Sequence, residues 1–352
     1  MSRRALSLVF AVPILLAILP PKAQAEVLAI IPQSLEVKVI DTATDTVVEQ
    51  IPISFWGFGV AVSPASQRFY VWGQVIGTSE TVVEVFDAND FSSIGFFSMG
   101  SNFIRFIAPS PDGSRFYMGL VTDAIWVMRT SNNSFITSIR GAEIDGPDGL
   151  AFLPDGSRFF TTNGFSGITM SAIIDPSTNT ILGGLSDTGR SSGIAIDPSG
   201  TTAYYARNSP EVTIVDIATE TVIDRIPLGD RSRKLALSPN GTELYVTTSN
   251  NELLFIDIAT KTILASPLSG ALPEEIGVHP DGSRVYVLNL GSNFVSVFDT
   301  TTRERSHQIT VGGVMFFNGS FLGDFTPPPP DILIDGFESG DTSSWSATVG
   351  SP

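Results

Sequence analysis

Apolar and polar residues alternate along most of the chain in short stretches, a pattern typical of half-buried β-strands. Segment 35–40 shows this alternation, with Glu36 and Lys38 between apolar neighbours. A second kind of stretch ends in Pro and a turn, and then continues as an aromatic-rich strand. Because Pro presets the first turn position and Gly accepts the left-handed conformation that closes a hairpin, this arrangement predicts two antiparallel strands joined tightly.

The Pro-turn pattern repeats along the chain at intervals of 41 to 47 residues. Its copies are centred on Pro64, Pro111, Pro154, Pro198, Pro239 and Pro280. Between them lies a second pattern, an Asp followed by Thr or small residues, whose side chain can accept hydrogen bonds from the backbone of a tight turn. This pattern is found at Asp41, Asp216, Asp257 and Asp299, more weakly at Asp87 and Asp175, and with Arg129 in place of the acid in one repeat.

Each repeat therefore predicts four strands: A before the Pro turn, B after it, C ending at the Asp turn, and D beyond. A unit of about 40 residues cannot bury both faces of its sheet alone, but packing it on the next unit of a ring can, as in a β-propeller. We count seven A strands, at 57–64, 104–111, 147–154, 191–198, 232–239, 273–280 and 312–321. The expected fold is all-β, a seven-bladed β-propeller of four-stranded antiparallel blades.

The two ends of the repeat array complement each other. Residues 26–53 resemble strands B, C and D with no A strand before them, and 312–321 resembles an A strand with nothing after it. We therefore expect one hybrid blade, built from both termini, to close the ring and hide the sheet edges. The predicted propeller domain spans residues 26–325.

The segments outside this domain differ in composition. Residues 1–25 combine a basic start, an apolar run and the ending Ala23-Gln24-Ala25, which predicts a secretory signal cleaved after Ala25 and a secreted or periplasmic protein with no transmembrane anchor. A retained membrane anchor is the alternative. Residues 326–331 predict a stiff Pro-rich linker. Residues 332–352 predict a largely disordered acidic tail, with a sorting or docking tag as the alternative.

The amino-acid composition excludes several kinds of functional site. The 352 residues include no Cys and two His, and 20 basic against 36 acidic residues give a net charge of −16. Disulfides, thiolate metal sites, Cys nucleophiles and a three-His zinc site are thereby excluded. An acidic surface repels phosphate backbones, so we expect no nucleic-acid partner. We also expect no metal, no cofactor and a monomer, with an unknown small molecule or protein as partner.

Neither histidine is in a promising position for catalysis. His279 occupies the ordinary A–B turn column, and His307 aligns with Glu49 and Asp224 in the outermost strand. A Ser-His-Asp triad is therefore not expected, and the catalytic residues, if there are any, remain unknown. A lactonase that uses carboxylates and arginines stays open as an alternative.

The mouth of the central channel is the better candidate for a ligand site. In a propeller it is surrounded by the D–A loops and the first residues of the A strands. Here these positions hold Trp56, Phe58, Arg105, Asp148, Arg190, Arg233, Glu274 and Glu275. Aromatic residues beside both charge signs suit a small polar or anionic ligand, and Arg105, Arg190 and Arg233 could hold its anionic group. Alternatively, the opposite charges only neutralise each other around a water-filled pore.

The repeats resemble those of the YVTN-family β-propeller proteins, most closely at 216–246 and 257–289, and the resemblance extends over essentially 26–325. Segment 332–346 is similar to the GFESGDTSSWS ending seen on secreted bacterial proteins. The family resemblance implies a lactonase-like or surface-layer-type seven-bladed propeller. We expect a binding or interaction scaffold, with a lactonase-like hydrolase acting at the central channel and an envelope-associated structural protein as alternatives.

Overall fold

The protein folds as a ring of seven four-stranded antiparallel sheets. The computed structural model describes residues 27–122, 124–164, 170–312 and 319–325. The predicted signal segment 1–25, linker 326–331 and tail 332–352 lie outside these residues. Within the described ranges, no helix is long and apolar enough to cross a membrane. The expected all-β seven-bladed propeller is confirmed.

The first 14 strands are β1 (Val27–Pro32), β2 (Glu36–Asp41), β3 (Thr46–Pro52), β4 (Phe55–Ser63), β5 (Arg68–Val75), β6 (Thr81–Asp87), β7 (Ser93–Gly100), β8 (Ile104–Pro109), β9 (Arg115–Leu120), β10 (Ala124–Arg129), β11 (Ser134–Ile139), β12 (Pro147–Phe152), β13 (Phe159–Asn163) and β14 (Ser171–Asp175). A short 3-10 turn, Pro64–Ser66, joins β4 to β5.

The remaining strands are β15 (Thr180–Leu185), β16 (Gly193–Ile196), β17 (Thr202–Ala206), β18 (Glu211–Asp216), β19 (Thr221–Pro227), β20 (Ser232–Leu237), β21 (Glu243–Thr248), β22 (Leu253–Asp257), β23 (Thr262–Ala265), β24 (Pro273–Val278), β25 (Arg284–Asn289), β26 (Phe294–Asp299), β27 (Glu304–Thr310) and β28 (Leu322–Asp324). Blades 1 to 6 are the successive groups of four from β4 to β27, and blade 7 has the strand order β28-β1-β2-β3.

Blade 7 confirms the hybrid closure but places its inner strand later than we expected. The sequence predicted strand A at 312–321, of which 313–318 lie outside the described residues. The segment that pairs with β1 is β28, in which Asp324 lies opposite Val27 and Leu322 opposite Ala29. Gly312 has a left-handed backbone, with φ +88°, so the chain leaves the extended conformation there. The buried side chains of Phe321 and Phe325 flank β28. The backbone carbonyl of Phe321 accepts a hydrogen bond of 2.7 Å from the Ile30 amide.

The core lies between the blades. The B strands of four blades place a fully buried tyrosine at the same repeat position, namely Tyr70, Tyr117, Tyr245 and Tyr286. One apolar cluster joins blades 6, 7 and 1 through residues such as Leu288, Ile30 and Phe69. Burial of apolar area contributes roughly 25 cal/mol per Å², so each blade gains stability from both neighbours.

Polar contacts also tie neighbouring blades at their outer rim. A residue at the start of a B strand, or just before it, reaches the left-handed residue in the C–D turn of the following blade. Arg158 lies 3.2 Å from Glu220, and Arg303 lies 2.6 Å from Glu243. In the first pair the B strand supplies the base, and in the second it supplies the acid. The contact position is therefore kept while the charges are exchanged.

The junction between blades 6 and 7 carries the densest of these contacts. The Asp45 carboxylate of blade 7 accepts hydrogen bonds from Arg284 Nη1 and from the Tyr286 hydroxyl, both at 2.7 Å. His307 Nε2 lies 3.1 Å from the same carboxylate. The Asp45 side chain is only 12% exposed, whereas Glu220, at the corresponding turn position of blade 4, is 45% exposed. Three groups of the last full blade thus converge on one carboxylate of the closing blade.

We expect Asp45→Ala to lower the free energy of unfolding by roughly 2–4 kcal/mol, because it leaves the Arg284 charge and the Tyr286 hydroxyl without their buried acceptor. Glu220→Ala is the matched control, and since its ion pair is exposed it should lower that free energy by less than about 1 kcal/mol. Urea denaturation of both variants measures the difference. Equal losses of unfolding free energy in the two variants would show that the contacts at the closing junction contribute no more than those at the other junction.

Candidate ligand site at the channel mouth

The inner strands carry β-bulges at the channel mouth. In blades 1, 2, 3, 5 and 6 the pairing of strand A with strand B shifts register near the start of strand A. The residues at these shifts are Phe58, Arg105, Asp148, Arg233 with Lys234, and Glu274. A bulge re-aims a side chain relative to the regular ladder, so one repeat position supplies most of the polar groups here.

Blades 2 and 3 are joined at the mouth by an ion pair. Arg105 Nε donates a hydrogen bond of 3.1 Å to Asp148 Oδ1, and Arg105 Nη2 also contacts that oxygen. The side chains are only 15% and 11% exposed. In such a partly desolvated site the two charges hold each other in place. Arg105 and Asp148, which were both predicted from the sequence to lie at the channel mouth, therefore form an ion pair with each other.

Blades 5 and 6 contribute two ion pairs side by side. Arg233 Nη1 contacts Glu274 Oε1, and Lys234 Nζ lies 3.2 Å from Glu275 Oε1. The second pair is the more buried, with side-chain exposures of 13% and 11%. The Glu275 carboxylate also accepts a hydrogen bond from the backbone amide of Gly319, in the segment that returns to blade 7.

Sequence reasoning missed Lys234, although a signal for it was present. The repeat position of Lys234 and Glu275 is glycine in three other blades, at Gly59, Gly149 and Gly193. Opposite charges that replace glycine in two adjacent repeats indicate an ion pair across the blade interface. The prediction included Glu275 and omitted its partner.

Burial and neighbouring charges shift the pKa values of this cluster. Burial raises the pKa of Glu275 to about 7, against the opposing effect of the Lys234 charge. Burial also raises the pKa of Glu274, against the effect of Arg233. For Lys234, burial acts to lower the pKa, but the negative charges of Glu275, Asp148 and Glu274 outweigh it and the net shift is upward. At neutral pH the lysine is charged and Glu275 is close to its titration midpoint.

These groups border a cavity of about 340 Å³ in the central channel. All seven blades contribute to its wall, since it includes Val62 of blade 1 and Ser320 of the segment entering β28. The charged side chains on the wall are Asp148, Lys234 and Glu275, and Ser192, Ser320, glycines and apolar side chains line the rest. Apolar surface with a few convergent polar groups is the usual form of a small-molecule site, and this cavity is more polar than most.

The remaining predicted site residues, Arg190, Trp56 and Phe58, do not line this cavity. Arg190 is exposed and donates hydrogen bonds of 2.9 and 3.2 Å to the backbone carbonyl of Gly164. Trp56 and Phe58 are half-buried in β4, and the Phe58 ring packs 5.7 Å from that of Phe103. Within the described part of the chain, Arg190 has no carboxylate partner, unlike Arg105 and Arg233.

The histidines lie elsewhere. His279 Nδ1 is 2.7 Å from Asp281 in the A–B turn of blade 6, and His307 is paired opposite Val297 in the outermost strand. Among the residues whose placement is described, no group of three or more His, Asp or Glu side chains could hold a metal ion. The charged pairs at this mouth are suited to ionic and hydrogen-bonding recognition, and Glu275 can exchange a proton near neutral pH.

The raised pKa of Glu275 predicts a pH-dependent stability. Between its ordinary value of 4.5 and about 7, folded Glu275 keeps a proton that the unfolded chain has released, so the free energy of unfolding falls as pH rises through this window, by at most about 1.4 kcal/mol per pH unit. Glu275→Gln should flatten the profile between these limits, and the exposed control Glu304→Gln should not. Urea denaturation at pH 5, 6, 7 and 8 measures this. Parallel profiles for wild type and Glu275→Gln would contradict it.

Comparison with known proteins supports the fold alone. No family model matches the chain and no curated protein matches it, so membership of the YVTN family stays a prediction. Among solved structures, the chain is similar to Kuenenia stuttgartiensis hydrazine synthase, with a TM-score of 0.61 and 18% sequence identity over 69% of this chain and 76% of that one. At this identity the likeness concerns the propeller architecture.

Proposed function

We propose that the protein is an extracytoplasmic binding scaffold that takes a small polar ligand with an anionic group at the channel mouth. The observation that carries the proposal is the buried Lys234–Glu275 pair on the wall of a 340 Å³ cavity. Buried ion pairs seldom add net stability, so these charges suggest recognition. The location outside the cytoplasm rests on residues 1–25, whose pattern is typical of a cleaved signal.

Arg190 is the first contact that we propose for an incoming anion. Its guanidinium is exposed, and its hydrogen bonds go to the neutral carbonyl of Gly164. A carboxylate or phosphate can therefore bind it without displacing a protein carboxylate. Arg105 and Arg233 already have carboxylate partners. In this proposal they fix the positions of the neighbouring side chains at the mouth, and Arg233 can bind the ligand only when its ion pair with Glu274 breaks.

Lys234 is the deeper contact, and its availability is coupled to a proton. When Glu275 is protonated, it neither repels an anion nor competes for the lysine ammonium. Because burial raises the pKa of Glu275 to about 7, this change falls within the neutral range. An anionic ligand near Glu275 would raise that pKa further, so anion binding takes up a proton and strengthens as pH falls.

A thermal-shift screen with small carboxylates and phosphates tests this. Ligands that stabilise the wild type should do so more at pH 6 than at pH 8, and the double variant Arg190→Ala/Arg233→Ala should abolish the shift. Arg158→Ala, which removes an arginine at the A–B turn end of blade 3, is the matched control and should leave the shift intact. A double variant that keeps the full shift would refute the proposed site.

A hydrolase acting at the same cavity is the second candidate. The observation in its favour is Glu275, a carboxyl with a pKa of about 7 on the cavity wall beside a lysine. A general acid or base works best with a pKa near the working pH, and such shifts concentrate at active sites. Lys234 could then stabilise the oxyanion formed when water attacks a lactone carbonyl.

Hydrolysis of a panel of lactones separates the two candidates. If the chain is a hydrolase, turnover should fall at least 100-fold in Glu275→Gln, the loss expected when a general acid or base is removed. The control Glu304→Gln should retain full turnover. Absence of turnover in the wild type, or equal turnover in Glu275→Gln, would contradict the hydrolase.

A further inference from the structure

On the face opposite the charged mouth, the A–B turns follow the ring, and at several junctions the turn of one blade packs on that of the preceding blade. The turn glycine of one blade sits against the turn proline of the preceding blade. A Cβ built on Gly200, Gly241 or Gly282 would lie 3.2, 2.9 or 3.4 Å from Cδ of Pro154, Pro198 or Pro239. Gly113 of blade 2 packs similarly on the backbone of Ala65 in blade 1, at 3.0 Å. Four junctions of this ring are therefore closed.

The junction between blades 2 and 3 is open. A Cβ built on Gly156 would meet no atom within 4 Å, although its turn has the same Pro-x-Gly sequence as those of blades 2, 4, 5 and 6. Gly156 lies on the wall of a cavity of about 490 Å³, which we name the blade 2–3 cavity. The corresponding space between blades 5 and 6 holds about 230 Å³. The break in the ring thus opens a cavity twice the size of its counterpart.

An additional aromatic ring accounts for the opening. Phe152 lies near the end of strand A in blade 3, where blades 1, 4, 5 and 6 have Val62, Ile196, Leu237 and Val278. Its ring packs edge-on 5.5 Å from Tyr117 of blade 2 and 5.1 Å from Phe159 of its own blade. The Phe152 ring therefore lies between blades 2 and 3, beside the open turn junction. Phe152 also borders the central cavity, so it separates the two spaces.

The walls of the blade 2–3 cavity combine rings with carboxylates. Phe152 provides aromatic surface, with the fully buried Tyr117 ring packed against it, and three prolines, Pro111, Pro154 and Pro176, line the sides. Asp112 and Asp155 also line the cavity. Both are ionised at neutral pH, and hydrogen bonds from neighbouring serines lower their pKa values further below the ordinary value. The one base on the wall, Arg115, donates a hydrogen bond of 2.8 Å to the Pro176 carbonyl.

The Tyr117 hydroxyl adds a further polar group. It is fully buried behind the cavity wall, next to the Arg115 side chain, with which it hydrogen-bonds. Aromatic faces and carboxylates both attract cations, and desolvated cation–aromatic contacts are worth about 2 kcal/mol. We propose that the blade 2–3 cavity is a binding site for a small organic cation with an apolar body, such as a substituted amine.

Titration of the full-length protein with benzyltrimethylammonium, followed by saturation-transfer NMR, tests this proposal. Binding should saturate, and phenylacetate, an anion of similar size, should bind at least tenfold more weakly. The double variant Asp112→Asn/Asp155→Asn should weaken binding of the cation about tenfold or more. It should also fold, because Asn240 occupies this turn position in blade 5 and makes the same bonds with Ser238 and Thr242.

Two controls place the site. Asp281→Asn makes the same change at the closed junction between blades 5 and 6 and should leave cation binding unchanged. Lys234→Gln alters the central cavity and should also leave it unchanged, so this proposal and the anion site at the channel mouth can fail separately. The proposal is overturned by a lack of saturable binding, by equal binding of phenylacetate, or by an equal loss in either control variant.

Discussion

Circular closure is the constraint on which the rest of the structure depends. Each blade is a sheet with two apolar faces, and only a neighbour on either side can bury both. The first and last segments of the described propeller therefore have to share a blade, and the pairing of β28 with β1 achieves this. The contacts of Asp45 with Arg284, Tyr286 and His307 strengthen the same junction from the rim. The residues of the channel mouth come from the inner strands of neighbouring blades. Their relative positions therefore depend on the ring being closed.

The β-bulges in the inner strands place charged side chains at the channel mouth. A bulge adds a residue to strand A without lengthening strand B, and this happens near the start of strand A in five blades. In blade 1 the added position holds Phe58, and in the other four blades it holds a charge. Asp148 pairs with Arg105 of the preceding blade, and Glu274 pairs with Arg233 of the preceding blade. Three bases and three acids balance at the mouth, and Arg190 stands outside this balance. The architecture is regular, and its chemistry comes from the few positions at which the repeats differ.

On the two faces of the propeller, neighbouring blades are held together by different interactions. The mouth is held by partly buried ion pairs, which fix side chains and leave charge available for recognition. The opposite end is held by glycine–proline packing of the turns, which is neutral and close. One large residue, Phe152, interrupts that packing and lies beside both cavities. A large residue in place of the smaller aliphatic residue found at this position in most blades thus changes the surface of one junction, while the strands on either side keep their register.

The sequence alone determined the number of blades, their strand order and the closure by both termini, because Pro-turn and Asp-turn chemistry acts locally and repeats at a visible interval. It also located the charged columns Arg105, Asp148, Arg233, Glu274 and Glu275. Only the tertiary structure decided which of these charges become partners, that Lys234 belongs with Glu275, that the inner strand of blade 7 is Leu322–Asp324, and that one turn junction stands open. The physical reason is that these outcomes depend on packing between blades, where residues far apart in the chain meet and side-chain volume, burial and charge are settled together.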